Sequence, residues 1–303
     1  MRLTPTLGIM TMFALAASAA AQDSVSADSL AARKARFVAS LKYQTGDVQL
    51  HGGMATLRGV GGTYRFLDGE QAGKVLRAWG NPVKENPLGM LVPAQMSPVD
   101  SGAWAIVITY QDDGYVSDSG ASRINYDSLL AQLQKSARDE NPERKKQGYP
   151  TFEVVGWALP PRYDAETKKL YWAEELSFDG DTAHTLNYKI RVLGRRGVLV
   201  LNAVSAMNQL PLVQEATPAA LAMVEFNPGN RYADFVKGKD HMAAYGVGAL
   251  IIGGIAAKAG LFKFLIPILL AAKKLLIVAV AGVAAFFRRF FGGKKKTPTT
   301  PAA

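Results

Sequence analysis

The sequence predicts an α+β fold, followed by a C-terminal transmembrane helix and an apolar, basic interfacial helix. Four segments beyond Pro150 alternate apolar and polar residues, and short polar links separate them: 152–159, 168–178, 184–193 and 197–207. This period of two, with short links, indicates an antiparallel β-meander. Several upstream segments instead repeat apolar residues at helical spacing. A long apolar and basic segment at the end of the chain suggests the membrane elements.

The helices of the body are predicted to be amphipathic, over 28–44, from Asp68 to Trp79, over 125–137 and from Thr217 to Phe226. Asp68 and Gln71 form a capping-box pattern at the second start. Pro218 suits the first position of the fourth helix. The charged, proline-bounded segment 138–150 is predicted to be a loop or solvated linker, and it is the best candidate for a subdomain boundary.

The remaining strands are predicted at 47–50, 55–60, 63–67 and 103–110. In the meander, apolar residues at 186, 188, 190 and 192 face one way. Asn187, Lys189 and Arg191 face the other way. The alternation therefore predicts a meander with one side in solvent.

The N-terminus has the pattern of a secretory signal peptide. Arg2 precedes an apolar run at 7–17, and three alanines at 19–21 give a small-x-small cleavage pattern. We therefore expect cleavage after Ala21 and an exported domain over 22–240.

Residues 241–262 are predicted to form the transmembrane helix. From 242 onward they are apolar except for Lys258, and their length matches a hydrocarbon core about 30 Å thick. Tyr245 suits the headgroup level at one end. Ala249, Gly253 and Ala257 recur every fourth residue, which suits a self-association face. Glycine and alanine are also simply common in such helices.

The tail, 263–303, contains two apolar runs, 264–272 and 275–287, each too short to span a bilayer as a helix. A helix lying on the cytoplasmic membrane surface is the favoured interpretation, with a re-entrant or spanning segment as the alternative. The cations expected to set the topology are Lys263, Lys273, Lys274, Arg288, Arg289, Lys294, Lys295 and Lys296. By the positive-inside rule they predict a cytoplasmic tail.

The formal charge of +10 is confined to the ends of the chain. Residues 242–303 carry nine of the 35 Lys and Arg and none of the 25 Asp and Glu. The body is neutral, which argues against a nucleic-acid partner. We expect anionic lipid headgroups as the tail's partner. A second copy or another membrane protein packed against the span is the further candidate.

Several stretches resemble the DUF2167 family of uncharacterised bacterial membrane-anchored proteins. They are 156–157 with 160–163, 170–173, 188–201 (YKIRVLGRRGVLVL), 226–235 (FNPGNRYADF), 243–246 and 256–263. The resemblance implies export and membrane anchoring. It supplies no catalytic residues.

No motif in the chain predicts catalytic, cofactor-binding or metal-ligating residues. His51, His184 and His241 have no second His or Cys at metal-binding spacing, and neither G-x-S-x-G nor S-x-x-K occurs. The sequence therefore favours a binding or scaffold domain at the periplasmic face of the inner membrane, with no cofactor. The alternatives are an envelope hydrolase with a non-motif active site and an accessory subunit of a membrane complex.

Overall fold

The computed structural model describes residues 29–79, 81, 83, 85–146, 148–179 and 181–253. The chain divides into two units after Leu41. In the first unit, helix α1 covers residues 29–39 of the described chain. The signal-peptide prediction, 1–21, lies outside the described residues.

The second unit contains the strands and the other long helices. The helices are α2 (Gly69–Ala78), α3 (Tyr126–Lys146) and α4 (Leu210–Met223). In chain order the strands are β1 (Gly46–Leu50), β2 (Ala55–Val60), β3 (Tyr64–Asp68), β4 (Gly89–Pro93), β5 (Ile106–Gln111), β6 (Tyr115–Ser117), β7 (Phe152–Asp164), β8 (Lys169–Phe178), β9 (Thr185–Leu193), β10 (Val198–Ala206), β11 (Val224–Phe226) and β12 (Met242–Gly246).

A seven-stranded sheet in the order β3-β4-β5-β10-β9-β8-β7 forms the centre of the unit. Every neighbouring pair in it is antiparallel. Strands β7 to β10 follow one another as a meander, which confirms the α+β class and the predicted strands beyond Pro150. A three-stranded sheet, β1-β2-β11, and a parallel pair, β12-β6, complete the unit.

Both faces of the large sheet are covered. On the first face, sheet residues such as Tyr188 join one core cluster with residues of β2, β11 and α4. On the second face, Trp172 and Val200 join another cluster with Leu133 of α3 and Val247, just after β12. Each face thus buries its apolar side chains against a different layer.

The second face is not in solvent, and that prediction is wrong. Every residue of β9 is buried. Lys189 is only 8 % exposed and Arg191 only 5 %. Alternation along a strand shows which residues share a face, but it does not show whether another layer covers that face.

The predicted start of helix α2 is confirmed, because the Asp68 side chain accepts a hydrogen bond of 2.9 Å from the backbone N–H of Gln71.

Helix α3 is longer than predicted, so the loop predicted from 138 is wrong up to Lys146. Asn141 there bonds the backbone of Phe152 through both its amide atoms, at 2.9 and 3.0 Å. These contacts tie the charged end of α3 to β7. The subdomain boundary stays a prediction.

Helix α4 also differs from the prediction. It begins at Leu210 rather than Thr217, it contains Pro218 inside, and Phe226 lies in β11. Pro211 occupies the first turn instead. Two prolines seven residues apart both suit a helix start, and the sequence interpretation chose the second one.

The described part of the predicted span is not an α-helix. Residues Met242–Gly246 form β12, and Val247–Leu250 form a short 3-10 helix. No helix within the described ranges is long and apolar enough to cross a membrane. The rest of the predicted span, 254–262, and the predicted interfacial helix lie outside these ranges.

Candidate functional site

An open groove runs beside the β6–β12 pair. Its lining consists of Ser117, Ser119, Gly120, Ile124 and residues 243–249. Most of these side chains are small, so the backbone of β12 and of the following turn forms much of the surface. We refer to this feature as the β6–β12 groove.

Close packing around Gly114 positions β12 beside β6. The N–H of Tyr115 donates to the carbonyl of His241 at 2.8 Å. Gly114 has a φ of +88°, and a Cβ there would lie 2.6 Å from the His241 ring. A side chain at position 114 would therefore both strain the backbone and push β12 away.

Tyr245 connects the groove with the interior of the protein. Its hydroxyl donates a hydrogen bond to the carboxylate of Asp113. Burial of Tyr245, together with that carboxylate, raises the pKa of its phenol, while the nearby Arg191 opposes the rise. Tyr245 is therefore a neutral hydrogen-bond donor at neutral pH, held between the groove and the second face of the sheet.

A buried polar cluster, made of Glu174, Asn187, Lys189, Arg191 and Asn202, lies on that face. The Lys189 ammonium donates to both carboxylate oxygens of Glu174, at 2.7 and 2.8 Å. Trp172 donates its indole N–H to the same carboxylate at 2.8 Å. The strand register places Lys189 between Trp172 and Asn202. The cluster therefore forms from cross-strand neighbours.

The cluster contains two cations and one carboxylate. Burial lowers the pKa of Arg191 to about 10, although Glu174 opposes this shift. Burial also lowers the pKa of Lys189, again against Glu174. The Oδ1 atoms of Asn187 and Asn202 have no hydrogen-bond partner among the described residues. Two acceptor oxygens of the cluster are thus without a hydrogen bond within the described part of the chain.

Asp118 fixes the end of β6. Its carboxylate accepts hydrogen bonds from Tyr163 at 2.6 Å, Lys168 at 2.9 Å and Tyr232 at 2.9 Å. Burial raises the pKa of Asp118, but these three hydrogen bonds outweigh it and hold the pKa below 3.8. Tyr232 also stacks on Tyr115, with 4.4 Å between ring centroids.

Replacing Asp118 with asparagine is expected to lower the free energy of unfolding at pH 7 by about 1.5–3 kcal/mol, because hydrogen bonds to a charged group are lost. The folded-state pKa lies below the unfolded value of 3.8. The contribution of Asp118 is therefore complete above that pH and is lost as the pH falls through the folded-state pKa. Urea denaturation at pH 7 and at stepwise lower pH measures both effects.

The Asp118→Asn variant should show less acid destabilisation than the parent. Asp139→Asn is the matched control, since the Asp139 side chain is 63 % exposed in its ion pair with Lys135. This control should cost well under about 1 kcal/mol. Equal effects of the two substitutions would contradict the role assigned to Asp118.

The predicted self-association residues fall in different elements. Tyr245 lies in β12 and Ala249 in the 3-10 helix, so these two residues do not share an α-helical face. Gly253 has a φ of +96°. Ala257 and the topology-setting cations 263–296 lie outside the described residues. Self-association stays a prediction.

The three histidines lie in separate places. The His51 ring lies 4.8 Å from the ring of Tyr110, between centroids. His184 Nδ1 is 2.5 Å from a carboxylate oxygen of Glu175. The backbone of His241 pairs with β6. The described residues contain no group of three potential metal ligands.

Sequence reasoning missed both the groove and the polar cluster. Two of the family-like stretches, 170–173 and 188–201, contain Trp172, Lys189 and Arg191. Charged residues repeated inside an otherwise apolar strand were the available signal. Their burial depends on layers contributed by distant parts of the chain.

The fold and the site define an α+β domain with an open groove that borders a buried, charged cluster. The chain belongs to the DUF2167 family, described as a protein of unknown function, which matches residues 42–284. This confirms the resemblance seen in the sequence. No curated protein matches the chain.

Two solved structures are weakly similar. Cyanobacterial PsbP (CyanoP) from Synechocystis has a TM-score of 0.34 and 10 % identity, over 62 % of this chain and 94 % of its own. The Ran-binding protein Mog1p from Saccharomyces cerevisiae has a TM-score of 0.33 and 11 % identity, over 65 % of this chain and 100 % of its own. Likeness at this level does not bear on function.

Proposed function

We propose that this protein is a non-enzymatic binding or scaffold protein of the bacterial envelope, and that the β6–β12 groove receives its partner. The observation that carries the proposal is the position of Tyr245. Tyr245 lines the groove, its hydroxyl donates to Asp113, and its side chain packs against the core cluster on the second face of the sheet. A partner in the groove would therefore contact a surface held rigid by the interior of the domain.

The lining of the groove suits a partner segment that is extended, or one that packs closely against the backbone of the groove. Its alanine and glycine residues at 243–249 expose the backbone of β12 and of the following turn. Its serines, Ser117 and Ser119, add hydroxyl groups to the lining, and these hydroxyls hydrogen-bond each other at 3.0 Å. Sheet edges with small side chains commonly bind other chains through their main-chain groups.

The proposed location is the periplasmic face of the inner membrane. The signal-like N-terminus and the charge distribution of the sequence support it. Because residues 242–253 are part of the folded body, we place the membrane-embedded segment after residue 253 and within 254–287. Lys294, Lys295 and Lys296 then lie on the cytoplasmic side.

A photo-crosslinking amino acid at position 244 of the full-length protein, expressed in cells, tests the groove. Ala244 lines it and is exposed. We expect a discrete covalent adduct from this position. The matched control is position 212, because Leu212 is 47 % exposed on α4, which packs on the first face of the sheet.

A second substitution makes the test specific. Ala249→Trp should fill the groove and abolish the adduct formed from position 244. Resistance to limited proteolysis must stay at the parental level in that variant. Similar adducts from positions 244 and 212, or adducts that survive Ala249→Trp, would contradict the proposed binding site.

A further inference from the structure

Two exposed apolar side chains lie close together in one short segment of the folded body. The large hydrophobic residues that are exposed in the described part of the chain are Val155, Leu212, Val236 and Met242. Val236 and Met242, which are 39 % and 48 % exposed, lie only six residues apart. We name the segment 236–242 the basic turn.

The outward charges of the basic turn are positive. Lys237 and Lys239 are exposed. The acid of the turn, Asp240, points inward, because its side chain is 6 % exposed and forms a two-pronged ion pair with Arg195 at 2.7 and 3.0 Å. Arg196 lies 3.7 Å from the same carboxylate. The inward carboxylate therefore does little to offset the charge that the lysines present.

The turn is rigidly held. Asp240 accepts a hydrogen bond from the N–H of Val236 at 2.7 Å, and its own N–H donates back to the Val236 carbonyl at 3.0 Å. Gly238 has a φ of +83°, which closes the turn. The preceding Phe235 stacks on Tyr115, with 3.9 Å between centroids. Two apolar side chains and two lysines are thus displayed on a fixed loop.

We propose that the basic turn lies on the membrane surface and binds anionic lipid headgroups. Apolar side chains that insert at the interface, flanked by lysines, are typical of surfaces that bind such membranes. From the turn, the chain passes through β12 to residue 253. Beyond it, residues 254–303 carry nine cations and no acid. This inference rests on the proposed anchoring and adds an orientation of the body on the bilayer.

That orientation has a consequence for the groove. Met242 ends the basic turn and begins β12, which lines the groove. The groove is therefore presented close to the lipid surface, where a partner anchored in the same membrane can reach it.

A fluorescent label at position 242 tests the inference. The chain contains no cysteine, so Met242→Cys provides a single attachment site for an environment-sensitive dye. The labelled full-length protein is reconstituted into vesicles with or without phosphatidylglycerol. We expect a blue shift and about a twofold increase in intensity with the anionic lipid, because the dye leaves water at the interface.

Leu212→Cys is the matched control, since Leu212 and Met242 are exposed to 47 % and 48 %. Its label should not respond. Replacing Lys237 and Lys239 together with glutamine, or raising the salt concentration, should remove most of the response at position 242. A similar response from both labels, or one that persists without anionic lipid, would overturn the inference.

Flotation of the vesicles separates this inference from the proposed anchoring. Protein that floats with the vesicles, but whose label at position 242 does not respond, overturns the lipid-binding turn alone. Protein that does not float overturns the anchor and, with it, the orientation that depends on it.

Discussion

Replacing Lys189 with methionine is expected to lower the free energy of unfolding by about 3–5 kcal/mol, because the carboxylate of Glu174 loses its partner while it stays buried. That carboxylate is 4 % exposed and receives both hydrogen bonds of the ion pair from Lys189. Trp172 alone would remain as a donor. Urea denaturation of the full-length protein, followed by tryptophan fluorescence, measures the loss.

Lys135→Met is the control for this experiment. Lys135 pairs with Asp139 at the surface, where the two side chains are 70 % and 63 % exposed. Such exposed pairs contribute about 0–1 kcal/mol. Comparable losses from Lys189→Met and Lys135→Met would contradict the buried ion pair.

The double variant Glu174→Gln, Lys189→Met separates the cost of an unpaired charge from the cost of altered packing. It removes both charges of the ion pair and should recover part of the stability lost in Lys189→Met, but not all of it, because the buried Arg191 then lacks the carboxylate of the cluster. A double variant that is more stable than Lys189→Met would show that the unpaired carboxylate of Glu174 causes part of the loss; no recovery would contradict that assignment.

Deleting residues 254–303 is expected to move the protein from the membrane fraction to the soluble periplasmic fraction. The apolar runs of the proposed anchor all lie in the deleted part. The buried residues Val247, Leu250 and Ile251 remain, so the second core cluster keeps its members. Cell fractionation and limited proteolysis measure location and folding together.

Deletion from residue 242, where the sequence alone predicted the span, is the informative comparison. It removes β12 and those three core residues, and burial of one such side chain contributes about 1.5–3 kcal/mol. Their sum is comparable with a total stability of about 5–15 kcal/mol. We therefore expect this shorter protein to be degraded. Retention of the 1–253 protein in the membrane fraction after a high-salt wash, which weakens any binding through the lysines of the basic turn, would contradict the anchor.

Local signals predicted the elements that depend on local interactions. Asp68 and Gln71 identified the start of α2, and the strands predicted at 47–50, 55–60 and 63–67 correspond to β1, β2 and β3. The start of α4 was missed because two prolines gave the same local signal. Asn141 and Arg144 of α3 bond the backbone of Phe152 and Pro150. Such contacts between helix and strand leave no periodic trace in the sequence.

The candidate site was beyond sequence reasoning for a related reason. Tyr245 and residues 247–251 have the composition of a membrane helix, yet they belong to the strand and turn that cover the sheet. An apolar run satisfies either role, because lipid and a protein core both exclude water. Pairing of β12 with β6, more than a hundred residues earlier in the chain, decides between them.

The α+β class, the meander, the family and the confinement of the +10 charge to the chain ends could all be predicted without knowledge of tertiary contacts. These properties depend on composition, local periodicity and motifs. The tertiary structure alone decided that Lys189 and Arg191 are buried and that residues 242–253 belong to the body. Burial of a strand face is decided by which distant segments pack on it, and local patterns do not contain that information.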